Sequence, residues 1–350
     1  MNQIFGILKG IYPAKYLPEV ILLILSMVIF SAIILGIIAI LVMFFVWWER
    51  KVAGHIQSRL GPMRVGGWHG WAQSIADGIK LLLKEDIIPA NADRLLFKMA
   101  PYIVFTSSFA AFVTVPFTKG FVGADLNIGI FYILAITSLI VVGILMAGWS
   151  SSNKWSLYGA MRSAAQIVSY EVPIGLSILV PVMAAGSLSI RDIAEAQSGG
   201  IFNWYVFRSP FLFISFFTYY IAAIAEVNRT PFDLPEAESE LVAGFHTEYS
   251  GMRFAMFFLA EYANMFLVGS IATLLFLGGW NGILPKPLLP EFVNFIIKSL
   301  FLVFVMIWLR WTLPRLRVDQ LMHVCWKVLV PISFFCLIGH GIWMVLMGQA

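Results

Sequence analysis

The sequence predicts an all-α polytopic membrane protein with about eight transmembrane helices and further amphipathic surface helices. Three observations predict it. Of 350 residues, 60% are hydrophobic and only 12% charged, with a mean hydropathy of +0.87, where a soluble domain carries about 25% charged residues. Apolar runs recur at close to the ~20 residues that a helix needs to cross hydrocarbon. The lysines and arginines fall unequally on the two sides of those runs, as topology requires of a polytopic chain.

The runs, in order, cover 20–46, 99–118, 128–148, 163–188, 209–225, 254–279, 292–309 and 328–347. The first is too long for a signal peptide and reads as a span. The fourth contains Pro173, Gly175 and Pro181 and is expected to be interrupted. Trp47, Trp48, Trp149, Trp280, Trp308 and Trp326 sit at run ends, where an aromatic belt belongs. Sixteen of the 23 lysines and arginines lie on one side of the runs and seven on the other. The positive-inside rule puts the sixteen in the cytoplasm and both termini outside. The net charge of +4 calls for no nucleic acid. The whole chain, 1–350, reads as a single membrane domain with two unusual cytoplasmic segments, 49–98 and 226–253.

Segment 49–98 is too long for a hairpin connection. Within it Trp71, Ile75, Ile79 and Leu82 fall on one helical face, with Gln73, Asp77, Lys80 and Lys84 on the other. That is an amphipathic surface helix, which can rest on lipid or serve as a docking platform for a water-soluble partner. Segment 226–253 carries Glu226, Asp233, Glu236, Glu238, Glu240 and Glu248. Pro231 and Pro235 forbid a continuous helix through it. Close carboxylates raise one another's pKa, so such a loop either stores protons or is an ordinary acidic loop in water.

Two further carboxylates lie inside apolar runs. Glu171 follows Arg162, Gln166 and Tyr170, which recur on one face of the fourth run, and lies roughly 13 Å below Arg162. Glu261 stands beside Tyr262 in the sixth run. A charge in hydrocarbon costs about 2.5–3.5 kcal/mol on insertion scales, so such groups face a polar interior or a partner. They mark a proton path or a structural ion pair. Two cysteines, Cys325 and Cys336, cannot alone hold an iron–sulfur cluster or structural zinc and read as buried apolar residues. The five histidines are scattered, no metal site is expected, and no nucleophile–base pair, phosphate loop or dinucleotide fingerprint is present. No catalytic residue and no redox centre is assigned to this chain.

Four stretches carry a resemblance: WWERKVAGHIQSRLGPMRVGG, RSAAQIVSYEVPIGL, AEVNRTPFDLPEAESELVAGFHTEYSGMRFAMFFLAEY and RLRVDQLMHVCWKVLVP. Together they resemble the H-subunit family of the proton-pumping NADH:quinone oxidoreductase, respiratory complex I, over nearly the whole chain. The resemblance implies a subunit of a proton-translocating enzyme in the bacterial inner membrane. It would join the hydrophilic quinone-module subunits to the antiporter-like membrane subunits. It implies quinone as substrate, with NADH, FMN and iron–sulfur clusters bound by partner subunits and no cofactor on this chain. By motif, Arg50, Arg59, Phe245 and Arg310 would line or support a quinone chamber. Tyr170, Glu171, Glu226, Asp233, Glu236, Glu238, Glu248, Glu261 and Tyr262 would belong to an acidic proton path or its coupling loop. Three alternatives are a purely structural membrane anchor, which would have no use for Glu171 and Glu261 at depth, the equivalent subunit of a membrane-bound hydrogenase, and a stand-alone transporter. The last should carry an internal repeat with matched broken helices, and the one span expected to be broken, the fourth, has no matched partner.

Overall fold

Residues 19–235, 238–282 and 289–348 are described by the structure, a computed structural model, with the side chains of Glu238 and Ser239 outside that description. Helices in chain order are α1 Glu19–Ile56, α2 Gln73–Leu83, α3 Arg94–Ala110, α4 Gly129–Ser150, α5 Lys154–Ala185, α6 Ile190–Ala196, α7 Tyr205–Arg208, α8 Pro210–Glu226, α9 Glu238–Leu241, α10 Gly251–Phe276, α11 Glu291–Thr312, α12 Val318–His323 and α13 Val330–Leu346. Among the described residues, seven segments are long and apolar enough to cross a membrane, counting α12, the π-helical turn Val324–Leu329 and α13 as one. The seventeen-residue α8 is the eighth apolar helix, at the position expected from its run. The protein is therefore an all-α polytopic membrane protein, and the described residues contain no strand.

Local chemistry sets the helix ends. Asp93 caps α3 by accepting from the Leu95 and Leu96 amides at 3.1 and 3.3 Å, and Asn153 caps α5 by accepting from Trp155 N at 2.9 Å. Ser209 caps α8 ahead of Pro210, which lacks the amide hydrogen a first-turn residue cannot use. Gly186 closes α5 at φ 66°, a conformation that disfavours residues with a Cβ.

The expected interruption of the fourth span is not found: α5 runs unbroken through Pro173 and Pro181. Each proline deprives the carbonyl four residues earlier of its donor, and neighbouring helices supply substitutes. Cys325 Sγ donates to Ser169 O at 3.1 Å, and Ser215 Oγ donates to Ser177 O at 2.8 Å. Pro101 inside α3 follows the same rule, with Tyr249 Oη donating to Phe97 O at 3.2 Å. In an apolar interior a freed carbonyl must find such a partner for the helix to continue.

The bundle centres on α10, which packs against α1, α3, α8 and α11 and is 67% buried over its apolar window. At the rim, α1 is 28% buried and the last span 22%. Buried α1 residues follow a stripe through Leu22, Ser26, Phe30, Ile34, Ile38 and Val42, while the intervening aliphatics point outward. Continued past Val46, that stripe brings Glu49 into the interior, where it is 4% exposed. The helix also reaches Ile56, so the first eight residues of segment 49–98 are helical rather than loop. The surface helix α2 is amphipathic as expected, and Asp77 on its polar side ties it to α1: Arg50 Nη1 donates to Asp77 Oδ2 at 2.5 Å and Gln73 Nε2 to Asp77 Oδ1 at 3.0 Å, while Lys80 and Lys84 are exposed. Trp71, Ile75, Ile79 and Leu82 are exposed.

Candidate functional site

Five side chains from four segments meet where α1, α10 and α11 converge. Glu49 is the hub. Arg310 of α11 donates to its Oε1, Tyr262 Oη donates to its Oε2 at 2.6 Å, and Arg229 Nη1 lies 3.4 Å from Oε2. Arg229 comes from the loop after α8 and is 2% exposed. Its Nε faces Glu261 Oε1 at 2.9 Å, and its guanidinium lies over the Tyr262 ring at 4.3 Å. Burial opposes the charge on Arg229, but Glu261, Tyr262 and Glu49 outweigh it and hold the guanidinium protonated. Two carboxylates therefore face two guanidiniums, which makes so polar a cluster tolerable at depth.

Two cavities adjoin this hub, and a third continues from the second. The first, about 520 Å³, opens between the C-terminal end of α1 and α11 and is lined by Glu49, Arg50, Arg59, Tyr262 and Arg310 with apolar walls from Val46, Phe258 and Trp311. Arg59 reaches it because residues 57–61 fold back on α1. Arg59 N donates to Gly54 O at 2.6 Å, Lys51 Nζ donates to Leu60 O at 3.3 Å, and a Cβ on Gly54 would stand 2.8 Å from Gly61 N. The second, about 150 Å³, shares Phe258 and Arg310 with the first and adds Glu226, Arg229, His246, Glu261 and Asn264 among rings of Phe245, Phe254 and Phe257. The third, about 20 Å³, lies between Glu226, Asn264, Thr137 and aliphatic side chains. In the segment between α9 and α10, burial pushes His246 down to about 4, leaving a neutral imidazole at physiological pH.

Most of the residues expected from sequence reach the cavities, and some do not. Arg50, Arg59 and Arg310 line the first cavity, and Phe245 lines the second, with its ring edge-on to Phe257 at 5.4 Å. Glu261, Tyr262 and Glu226 stand on the same cavity series, whereas Glu171 lines none of the three cavities. Tyr170 is turned away: its Oη donates to Leu321 O at 2.9 Å. Asp233 pairs with Arg315 at 2.9 Å and lines none of the three cavities. Glu248 accepts from Asn153 Nδ2 at 2.6 Å, outside the cavity series. Glu236 and the side chain of Glu238 lie outside the described residues. Glu49, Arg229 and Asn264 were not singled out by sequence. The available signals were the α1 stripe for Glu49 and the i, i+3 spacing of Asn264 from Glu261.

Residues 29–341 match the family described as NADH dehydrogenase. The chain is 51% identical over 336 residues to a protein of Chlorobium luteolum named as the H subunit of NADH-quinone oxidoreductase, covering 92% of this chain and 90% of that one. Proteins of the same name are 47% identical over 356 residues in Anaeromyxobacter dehalogenans, covering 96% and 84%, and 52% identical over 285 residues in a Geobacillus species, covering 81% and 84%.

Proposed function

The chain belongs to the NADH dehydrogenase family, and from that membership and the site we propose that its first cavity receives the quinone headgroup and its acidic series carries the protons that reduction sets in motion. The protein is the H-type membrane subunit of a proton-translocating NADH:quinone oxidoreductase. Relatives at about half identity bear that name, which favours it over the hydrogenase reading. NADH, FMN and iron–sulfur clusters belong to the hydrophilic partner subunits. The antiporter-like membrane subunits lie beyond the far end of the acidic series. Both termini face outward from a bacterial inner membrane, and segments 49–98 and 226–253 lie on the cytoplasmic side as docking and coupling loops.

The observation that carries this reading is the position of Glu49. It forms part of the lining of the first cavity, and the arginine that pairs with it, Arg310, lines both first and second cavities. Any charge arriving in the first cavity is therefore felt at one step by the group that opens the second. Arg50 and Arg59 offer donors to the polar headgroup, and the Val46, Phe258 and Trp311 walls suit the apolar tail. Reduction of a quinone to a quinol takes up two electrons and two protons. Electrons come from the partner subunits, and protons drawn from nearby groups change the field at Glu49, Arg229 and Glu261. Glu226, which touches both inner cavities, is the group through which that change passes toward Glu171.

The test is Arg50→Ala or Arg310→Ala in the intact complex. Quinone reduction per assembled complex should fall, while NADH oxidation by ferricyanide, which takes electrons upstream, should persist. A parallel fall of both activities in fully assembled complex would contradict quinone binding here.

A further inference from the structure

The second and third cavities meet at a narrow neck formed by four residues, Ile140, Glu226, Val227 and Asn264. Only two of these bring polar side chains, and only one of the two can titrate. Asn264 lies three residues after Glu261 on α10, so both side chains leave the same helical face. Its Oδ1 is buried and finds no hydrogen-bond donor among the described residues. Buried amide oxygens are almost always satisfied, and where protein offers no donor, ordered water supplies it. The third cavity, about 20 Å³, is close to the size of a single water site.

An amide next to two carboxylates has a specific chemical use. It does not gain or lose a proton near neutral pH, but it accepts and donates at once. It can therefore orient a water without trapping the proton that the water passes on. We propose that Asn264 is a positioning residue: it holds the water that joins Glu261 to Glu226 at the neck between the two inner cavities. The assignment rests on the proton-path reading given above and adds a named gate to it. Ile140 and Val227 close the remaining sides of the neck with apolar surface, so a water held there has Asn264 and Glu226 as polar neighbours at the neck itself and Glu261 on the side of the second cavity.

The experiment compares Asn264→Val with Asn264→Thr, two side chains of the same shape that differ by a methyl and a hydroxyl. Each is one heavy atom shorter than asparagine and lacks its amide oxygen, and the pair are matched in shape to one another. Quinone reduction and proton uptake into vesicles are measured per assembled complex, in H₂O and in D₂O, with Glu226→Gln as a reference. Loss of one relay hydrogen bond corresponds to about a tenfold fall in rate. Asn264→Val should show that fall together with an increased solvent isotope effect, because proton movement through the neck becomes limiting. Asn264→Thr should keep most of the rate and an unchanged isotope effect. A full rate in Asn264→Val, with Glu226→Gln impaired, overturns the assignment and leaves the path standing. Equal losses in Val and Thr, or failure of both to assemble, make Asn264 a packing residue and also overturn it. Full coupled activity in Glu226→Gln removes the path itself.

Discussion

Arg229 offers a severe test of the hub, because one guanidinium serves two carboxylates and a ring. Nη1 is 3.4 Å from Glu49 and Nε is 2.9 Å from Glu261, and the plane lies 4.3 Å over Tyr262. Arg229→Lys keeps the charge but has a single point donor, which cannot span both carboxylates. One charged hydrogen bond, about 1.5–3 kcal/mol, is lost, and the flat stacking on Tyr262 weakens, worth about 0.5–1 kcal/mol. The expected loss is about 2–4 kcal/mol. Arg229→Met removes the charge from a buried pair and should lose more, about 3–5 kcal/mol. Adding Glu261→Gln to Arg229→Met should restore part of that loss, since it removes one of the carboxylates left without its partner. The assay is retention of this subunit in the assembled complex across a temperature series in mild detergent. Wild-type retention in Arg229→Met, or further loss on adding Glu261→Gln, would refute the reasoning.

Three other outcomes follow from the geometry. Tyr249→Phe leaves Phe97 O, freed by Pro101, without its donor and should destabilise the contact between α3 and the turn before α10 by about 1–3 kcal/mol, read as lower heat tolerance of the assembled complex. Gly54→Ala drives a Cβ to 2.8 Å from Gly61 N, so residues 57–61 must lift and carry Arg59 away from the first cavity; the apparent KM for quinone should rise more than kcat falls. His246 is held near 4 in the folded chain against about 6.5 when unfolded, so the unfolded state binds the extra proton. Its contribution is intact above pH 6.5 and is lost as pH falls from 6.5 toward 4, by up to about 3 kcal/mol, and His246→Phe should flatten that part of the stability profile.

What was legible in the sequence was set by local pattern. Eight apolar runs and the alternation of Trp71, Ile75 and Ile79 with Gln73, Asp77 and Lys80 are properties of a few consecutive turns, and each became a helix. The continuity of α5 was not legible. Pro173 and Pro181 are local breakers, and the groups that rescue the helix, Cys325 and Ser215, lie far along the chain. The acidic segment misled in another way. Its carboxylates are neighbours in sequence, yet Glu248 turns to Asn153 and Asp233 to Arg315, while Glu226, among the described ones, lines the inner cavities. Glu49 sat inside the first motif without attracting a role, because its importance comes from Arg229, Tyr262 and Arg310, each brought from at least 180 residues away.

The central claim is that the quinone cavity and the buried carboxylates form one series whose link is Glu226. Glu226→Gln keeps the shape and hydrogen-bonding capacity of the side chain and removes its titration. The measurement is proton uptake into vesicles during NADH-driven quinone reduction, normalised to assembled complex. The account predicts normal assembly with quinone reduction and proton uptake reduced together by about a hundredfold, the lower end for a positioned acid–base group. Wild-type uptake and wild-type quinone reduction in the assembled Glu226→Gln complex would contradict it.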